Sequence, residues 1–174
     1  MPNKGGIANN CLKDISDLDK EMEYKDFKRY KDFQPVCKLK PDKKSESLKI
    51  YDGVEDLVNR KGIVYVLVVN GKIFKIGQSI NSIKKRIQSY NCGKKKYRKD
   101  RGTNSTTNYF VLQSLLNIGY DVEVYGFFPE QPKFKIFGKE YQESRSPSKV
   151  AENIIIKELI RDNNGNKPIG NKQK

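Results

Sequence analysis

The stretch that decides the fold is residues 62–90, GIVYVLVVNGKIFKIGQSINSIKKRIQSY. Its first part, 64–69, is a continuous apolar and mostly β-branched run, which is typical of a strand buried on both faces. The Asn-Gly pair at 70–71 is the strongest short-range signal for a hairpin turn. We therefore expect a return strand over 72–76 that ends at Gly77.

A helix is predicted after this hairpin, with Ser79 or Asn81 as its N-cap. Arg86 and Tyr90 are four residues apart, so they share one face of that helix. A guanidinium beside a phenol offers several hydrogen-bond donors to a phosphate oxygen. The alternative is an ordinary amphipathic helix in which isoleucines face the core and Arg86 faces water, and the spacing alone favours it.

Tyr65 and Lys75 are the polar side chains of the two predicted strands. A buried phenol needs a hydrogen-bond partner, and the turn decides whether Lys75 can supply it. A two-residue turn places these side chains on opposite faces, whereas a three-residue loop with Gly71 in the left-handed conformation pairs them directly. We predict the three-residue loop, because a nearby ammonium favours the phenolate form that can act as a base.

The composition points to a polyanion as partner. The chain has 174 residues, a net charge of +14 and a pI near 9.6. Such an excess of lysine and arginine is typical of nucleic-acid binders, although a basic protein with solvated lysines has the same composition. The absence of histidine excludes metal centres and general bases built on imidazole, so any base must be Tyr, Lys, Asp or Glu.

The cysteines and the apolar residues indicate a compartment. Cys11, Cys37 and Cys92 are scattered and form no Cys-x-x-Cys motif, so the sequence predicts neither a disulfide framework nor a zinc site. It contains neither an apolar run long enough for a membrane span nor a secretory leader. We expect a cytoplasmic protein with reduced thiols and no membrane partner.

The rest of the chain predicts an α+β fold, in which helices flank a small antiparallel sheet with a three-stranded core. Residues 1–61 are predicted as an N-terminal helical arm that contacts DNA or a second subunit, with one helix over 12–30 and room for one short strand. Residues 62–174 form the main domain, with a basic loop inserted over 91–108. Its further elements are a helix over 109–118, a strand over 122–128, a small hairpin over 134–141 and a helix over 147–162.

Two short motifs in this domain resemble a known family. Gly-Ile-Val-Tyr at 62–65 is followed by Lys-Ile-Gly at 75–77 and by the helix that carries Arg86 and Tyr90. This pattern resembles the GIY-YIG nuclease superfamily over residues 62 to about 171. Lysine at 75, where most members have tyrosine, and tyrosine at 90, where many have histidine, occur together in small stand-alone type II restriction endonucleases. The resemblance implies a GIY-YIG-like catalytic domain that cuts double-stranded DNA.

The resemblance also implies a metal-binding glutamate on a later helix. Mg²⁺ prefers carboxylate oxygens and keeps several waters. The candidates are Glu140, Glu143, Glu152 and Glu158. Glu152 lies in the second turn of the last predicted helix beside an apolar stripe, so we choose it as the ligand of one Mg²⁺ per active site. A glutamate that only stabilises the helix N-terminus is the alternative. Asn171 corresponds to the late asparagine of the family, at a longer spacing than usual.

In the implied mechanism, Tyr65 with Lys75 takes a proton from the attacking water, while Arg86 and Tyr90 hold the scissile phosphate. Glu152 holds the Mg²⁺ that serves as Lewis acid, and the products carry 5′-phosphate and 3′-hydroxyl ends. DNA contacts are expected from the basic loop, although each of its residues also fits a solvated loop: Lys94, Lys95, Lys96, Arg98, Lys99, Arg101, Ser105, Thr106, Thr107 and Asn108. Polar residues of the small hairpin are further candidates for base contacts.

The implied partners follow from the chemistry of restriction. Each protomer has one catalytic centre and cuts one strand, so a homodimer on a short palindromic target is expected. A cognate DNA methyltransferase in the same cell is expected as well. Two alternatives stay open: another GIY-YIG nuclease of the homing, mobile-element or repair type, or a basic DNA-binding module without catalytic activity.

Overall fold

The structure is a computed structural model that describes residues 14–94 and 104–171, with no side chains described for 104–107. The strands are β1 (Gln34–Asp42), β2 (Ser47–Tyr51), β3 (Ile63–Val69), β4 (Lys72–Ser79), β5 (Val122–Phe127), β6 (Lys133–Ile136) and β7 (Lys139–Gln142). The α-helices are α1 (Glu55–Asn59), α2 (Ile83–Asn91), α3 (Asn104–Asn117) and α4 (Ser148–Asp162). Short 3₁₀ helices span Ile15–Lys20, Tyr24–Asp26, Tyr30–Asp32 and Ile169–Asn171.

The predicted α+β class is confirmed. A five-stranded antiparallel sheet has the order β2-β1-β5-β3-β4, and β6 pairs only with β7. The predicted three-stranded core is β5-β3-β4, and β1 extends it through its pairing with β5. In the described part of the chain, no helix is long and apolar enough to cross a membrane.

The central strand β3 is buried on both faces, as its apolar run predicts. All seven of its residues are buried. Tyr65 and Leu67 face a core formed with α2 and α3, whereas Val64 and Val66 face a second core formed with α4 and the N-terminal aromatic residues. Period-two alternation is absent because both faces of the strand are covered.

The predicted helix over 12–30 is wrong for the described residues, which form 3₁₀ segments instead. The backbone groups of this stretch are bonded to β4: Ile73 N donates to the Met22 carbonyl at 2.9 Å, and Tyr24 N donates to the Gly71 carbonyl at 2.8 Å. These bonds cover part of the free edge of β4 and replace helical ones. The arm also supplies two strands, β1 and β2, where room for one short strand was expected.

Several predicted boundaries also move. β4 continues past Gly77 to Ser79, and the N-cap of α2 is Ser82, whose Oγ accepts from Lys85 N at 3.3 Å. The predicted loop over 91–108 is shorter, because α2 includes Asn91 and α3 begins at Asn104. Residues 95–103 lie outside the described part of the chain. The strand β5, the β6–β7 hairpin and α4 lie where the sequence predicts them, within about two residues.

Candidate active site

The turn between β3 and β4 has two residues. Val69 pairs with Lys72, and Asn70 and Gly71 both have positive φ angles, 47° and 82°. This is the pattern of a type I′ turn, so the predicted three-residue loop is wrong. Asparagine suits the position because it tolerates the left-handed conformation, and its Oδ1 also accepts from Asp121 N at 2.8 Å.

A β-bulge inside β4 places Tyr65 and Lys75 on the same face despite the short turn. Val68 pairs with Ile73 and Leu67 pairs with Lys75, so Phe74 is an extra residue. One inserted residue reverses the alternation of the strand beyond it. The predicted shared face is therefore present, but direct pairing of Tyr65 with Lys75 is wrong, because Tyr65 pairs with Gly77.

Gly77 makes room for the ring of Tyr65. A Cβ atom at position 77 would overlap the hydroxyl and Cζ of Tyr65 and would lie 2.8 Å from Cε2. The phenol therefore lies directly across β4, and only glycine leaves space for it there. Gly77 is needed for this close approach and not for a positive φ.

Tyr65, Arg86 and Tyr90 form one contact cluster between β3 and α2. The hydroxyls of the two tyrosines are 2.5 Å apart, and Arg86 Nε donates to the Tyr65 oxygen at 3.1 Å. The Arg86 guanidinium carbon also lies 4.9 Å from the centre of the Tyr90 ring. Both tyrosine side chains are fully buried. The structure therefore brings together three of the five predicted catalytic residues.

The protonation of this cluster follows from burial and charge. Burial raises the pKa of the Tyr90 phenol well above its usual value, and the neighbouring Tyr65 raises it further. Burial alone lowers the pKa of the Arg86 guanidinium, but the oxygens of Tyr65 and Tyr90 outweigh it and raise that pKa. Tyr90 is thus a neutral donor and Arg86 a cationic one, and both can donate to the Tyr65 oxygen. The Tyr65 oxygen is therefore the point at which the side chains of the cluster meet.

Lys75 is buried on the same face of the sheet as Tyr65, one cross-strand pair further along. The C-terminal segment packs closely here, since a Cβ on Gly170 would lie 2.9 Å from Lys75 Cβ and 2.8 Å from the Phe74 carbonyl oxygen. The Tyr65 hydroxyl itself is contacted from α2, by Arg86 and Tyr90. The sequence analysis assigned Arg86 and Tyr90 to the phosphate and did not predict their contacts with the Tyr65 hydroxyl.

Asn171 holds the edge of β4 beside the cluster. Its Oδ1 accepts from Ile76 N at 2.8 Å, and its Nδ2 donates to the Ile76 carbonyl at 2.7 Å. The side-chain amide thus satisfies both outward backbone groups of an edge-strand residue, as a neighbouring strand would. Ile76 lies between Lys75 and Gly77, so Asn171 fixes the strand that carries the site.

Glu152 lies on α4, which packs on the opposite face of the sheet from the tyrosine cluster. Its carboxylate accepts from Lys149 Nζ at 2.6 Å. One turn earlier on the helix, Ser148 Oγ donates to Gln78 Oε1 at 2.8 Å, next to Gly77 on β4. The helix is therefore anchored at the strand position beside Tyr65, but the structure does not bring Glu152 into contact with the cluster.

The donor chemistry at Glu152 fits magnesium. Of the glutamate candidates with an ion pair, the Glu152 side chain is 12% exposed, compared with 32% for Glu158 and 57% for Glu140. Mg²⁺ needs only one or two protein carboxylates, because water and phosphate complete its shell. In the ranges 14–94 and 104–171, no group of three or more His, Cys, Asp or Glu side chains could hold a metal by itself.

The structure describes the side chains of only two of the predicted DNA contacts of the basic loop, Lys94 and Asn108. Lys94 is buried, and its Nζ donates to the Ser45 carbonyl at 2.7 Å and to Ser47 Oγ. Asn108 is buried within α3. The expected exposed loop is thus wrong for these two residues, and Lys94 ties the segment after α2 to the turn between β1 and β2. The remaining predicted contacts lie outside the described residues or have side chains that are not described: Lys95, Lys96, Arg98, Lys99, Arg101, Ser105, Thr106 and Thr107.

Sequence reasoning missed a basic groove of about 760 Å³ between the sheet and the β6–β7 hairpin. Its basic lining residues are Arg60, Lys61, Lys133 and Arg145. Ile80 and Asn81 also line the groove. They connect β4 to α2, the helix that carries Arg86. These four cations come from three separate stretches of the sequence, so no local charge run revealed them.

Among the solved structures similar to this chain are two nucleases. No protein-family model and no curated protein sequence matches the chain. The structure of bacteriophage T4 EndoII, a mutant form, is 20% identical, covers 78% of this chain and 94% of its own, and has a TM-score of 0.59, which shows a shared fold. The restriction endonuclease HPY188I, solved in complex with product DNA, is similar with a TM-score of 0.64. At 51% identity over 94% of both chains, this protein belongs to the family of the restriction endonuclease HPY188I.

Proposed function

We propose that this protein is a type II restriction endonuclease of the GIY-YIG superfamily, which hydrolyses phosphodiesters of double-stranded DNA with the help of Mg²⁺. The observation that carries the proposal is the buried cluster of Tyr65, Tyr90 and Arg86 in a chain 51% identical to a restriction endonuclease. The net charge of +14 supports DNA as the substrate.

Tyr65 acts as the general base in this proposal. Its oxygen accepts a hydrogen bond from Arg86 and lies within hydrogen-bond distance of the Tyr90 hydroxyl, so both groups can donate to a phenolate at this position. The phenolate takes a proton from the attacking water. Arg86 uses its Nε for Tyr65, and its terminal nitrogens remain as donors to the scissile phosphate. Lys75 is kept as a residue of the site because it lies next to Tyr65 on the same face.

Glu152 would hold the metal ion in this proposal. Bound Mg²⁺ supplies Lewis-acid stabilisation of charge on the phosphate oxygens. Glu152 is buried enough to be a fixed ligand, and Lys149 neutralises it when no metal is bound. The products carry 5′-phosphate and 3′-hydroxyl ends. A homodimer that cuts both strands, and a methyltransferase that protects the host DNA, complete the proposed function.

Incubation of the purified protein with plasmid DNA, with and without Mg²⁺, tests this function. Discrete fragments that require Mg²⁺ are expected from the wild type. Tyr65→Phe removes the base and should reduce the cleavage rate by about 10²-fold or more while DNA binding is kept. Tyr51→Phe, at an exposed position on β2, is the matched control and should cut normally. A smear of fragments would indicate nonspecific cleavage, and a gel shift without cutting would indicate a DNA-binding module.

A further inference from the structure

The hairpin of β6 and β7, residues 133–142 and here called the outer hairpin, has two chemically different faces. Phe134 pairs with Tyr141, and their rings stack at 6.0 Å between centres. Ile136 follows on the same face, because residues two apart in a strand point the same way. The opposite face carries Lys133 and Gln142, which line the basic groove. The polar face therefore borders the groove, and the aromatic face points away from it.

The tip of the outer hairpin presents one aromatic side chain in an unfavourable backbone conformation. Phe137 is 99% exposed and has a φ of 50°, and Gly138 beside it has a φ of 76°. A bulky residue rarely adopts the left-handed region, because its Cβ crowds the backbone. Strain of this kind is kept mainly at functional positions. A fully exposed phenylalanine adds nothing to the stability of the hairpin, so its role concerns something outside the chain.

The charge around the tip indicates which kind of molecule Phe137 contacts. Lys135 and Lys139 flank Phe137 on opposite faces. Glu140 lies directly across from Lys135 but forms its ion pair with Lys133, so neither flanking lysine has an ion pair within the parts of the chain that the structure describes. Two such tips on a symmetric dimer would repel each other. DNA, in contrast, is attracted to these lysines and to the basic groove that the hairpin borders. Charge complementarity therefore favours nucleic acid over a second copy of the chain.

We propose that Phe137 is a wedge that inserts between two base pairs of the DNA substrate, while Lys135 and Lys139 bind the adjacent phosphates. Apolar side chains at exposed tips open base steps in this way, and the stacking contact repays the cost of opening the step. The inference rests on the proposed function for its substrate class. It assigns to the hairpin a contact with the base stack rather than the base-edge readout expected from its polar residues.

Phe137→Asn is the decisive variant, because it separates folding from binding. Asn-Gly is the preferred pair for this turn, so the variant should unfold at the same or a higher temperature than the wild type. Its affinity for duplex DNA should fall by roughly ten- to a hundredfold, the loss expected for one stacked aromatic. The probe is a labelled duplex that spans the cut site mapped on the plasmid, bound by the Tyr65→Phe protein to prevent cleavage.

Salt dependence separates the aromatic contact from the charges. Phe137→Asn should weaken binding by the same factor at every salt concentration, because stacking releases no counterions. Lys135→Gln with Lys139→Gln should instead reduce the slope of log affinity against log salt by about one to two. Unchanged affinity for Phe137→Asn at all salt concentrations would overturn the wedge.

A single tryptophan reports the insertion directly. The chain has no tryptophan, so Phe137→Trp in the Tyr65→Phe protein introduces the only one, and its emission can be excited apart from that of the tyrosines. Its emission should be quenched by duplex DNA, and 2-aminopurine placed at one base step should brighten as that step opens. Ile154→Trp, on the exposed face of α4, is the control and should not respond. Unchanged emission of the Phe137→Trp variant on addition of DNA, or a Phe137→Asn variant that changes from dimer to monomer without DNA, would refute the proposal.

These outcomes are distinguishable from failure of the proposed function. If the wild type does not cut, a random-sequence duplex replaces the mapped one, and the wedge is still tested by binding. If the wild type cuts plasmid DNA and Phe137→Asn binds equally well, only the wedge is wrong. If the wild type neither cuts nor binds DNA, both proposals fail.

Discussion

Two hairpins of this protein have the same turn geometry, but one turn begins with a polar residue and the other with an aromatic one. The inner hairpin, β3–β4, turns through Asn70 and Gly71 with φ angles of 47° and 82°. The outer hairpin turns through Phe137 and Gly138 with φ angles of 50° and 76°. The Asn70 side chain accepts a hydrogen bond from Asp121 N, which ties the turn to the start of β5. Phe137 is fully exposed and projects into solvent.

The surroundings explain the difference. Every residue of β3 is buried, and the hairpin that it forms with β4 carries the tyrosine cluster in the middle of the molecule. Every residue of β6 and β7 is exposed. A two-stranded hairpin has little stability of its own. The inner turn therefore has the residue that best stabilises its backbone, whereas the outer turn is less stable and exposes an aromatic ring.

The largest expected effect is at Gly77 of the inner hairpin. Gly77→Ala places a methyl group where the Tyr65 ring lies, so the phenol must move away from Arg86 and Tyr90. We expect the cleavage rate at saturating DNA to fall by about 10²-fold or more. The matched change in the outer hairpin, Gly138→Ala, meets no atom; its positive φ strains the exposed turn, but the cleavage rate at saturating DNA should stay unchanged. Equal losses in both variants would contradict the assignment of Tyr65.

A substitution of Asn171 tests how much its two hydrogen bonds to the edge strand β4 stabilise the inner hairpin. Asn171→Asp keeps the acceptor for Ile76 N but replaces the donor to the Ile76 carbonyl with a second oxygen. The free energy of unfolding should fall by about 1–3 kcal/mol, as measured by denaturant titration. Asn163→Asp removes an exposed bond to the Asn166 carbonyl and is the control. A comparable loss in the control would show that Asn171 has no special role.

Alkaline pH should destabilise the protein through a buried tyrosine of the inner site, and the outer hairpin supplies the control. Burial raises the pKa of Tyr90 above its usual value of 10.0, so above that pH the unfolded chain loses a proton that the folded chain keeps. Stability is therefore full below pH 10 and falls above it, by about 1.4 kcal/mol per pH unit for this group. Tyr90→Phe should reduce the slope between pH 10 and 11. Phe134→Leu in the outer hairpin changes no titratable group and should leave the slope unchanged.

Exchange of the two turn residues should have the smallest effect. Asn70→Phe brings strain into the inner turn and removes the bond to Asp121 N, so it should cost about 1–2 kcal/mol. Phe137→Asn should add up to about 1 kcal/mol to the outer hairpin. Thermal unfolding of the two variants and of the double variant measures both changes. Effects of the same sign would show that the two turns do not differ in the way described.

The sequence predicted the polar residues of the site better than their contacts. Tyr65, Arg86 and Tyr90 were identified as one group because a phenol in an apolar strand and an i, i+4 pair on a helix are local signals. The direct cross-strand pairing of Lys75 with Tyr65 was wrong, because the assumed register had its bulge in the turn. No local pattern in the sequence predicts the bulge at Phe74. The bulge depends on the packing of Phe74 into the same core as Tyr65 and Leu67, which is a tertiary contact.

By itself, the sequence determined the α+β class, the inner hairpin with its Asn-Gly turn, and the polar residues of the candidate site. Each is encoded locally, in the φ angles that a residue tolerates or in an apolar run covered on both sides. Only the tertiary structure decided that β1 pairs with β5, that Asn171 holds Ile76, and that Arg86 and Tyr90 meet at the Tyr65 oxygen. These contacts join segments up to 95 residues apart, and their energy comes from packing that no single segment specifies.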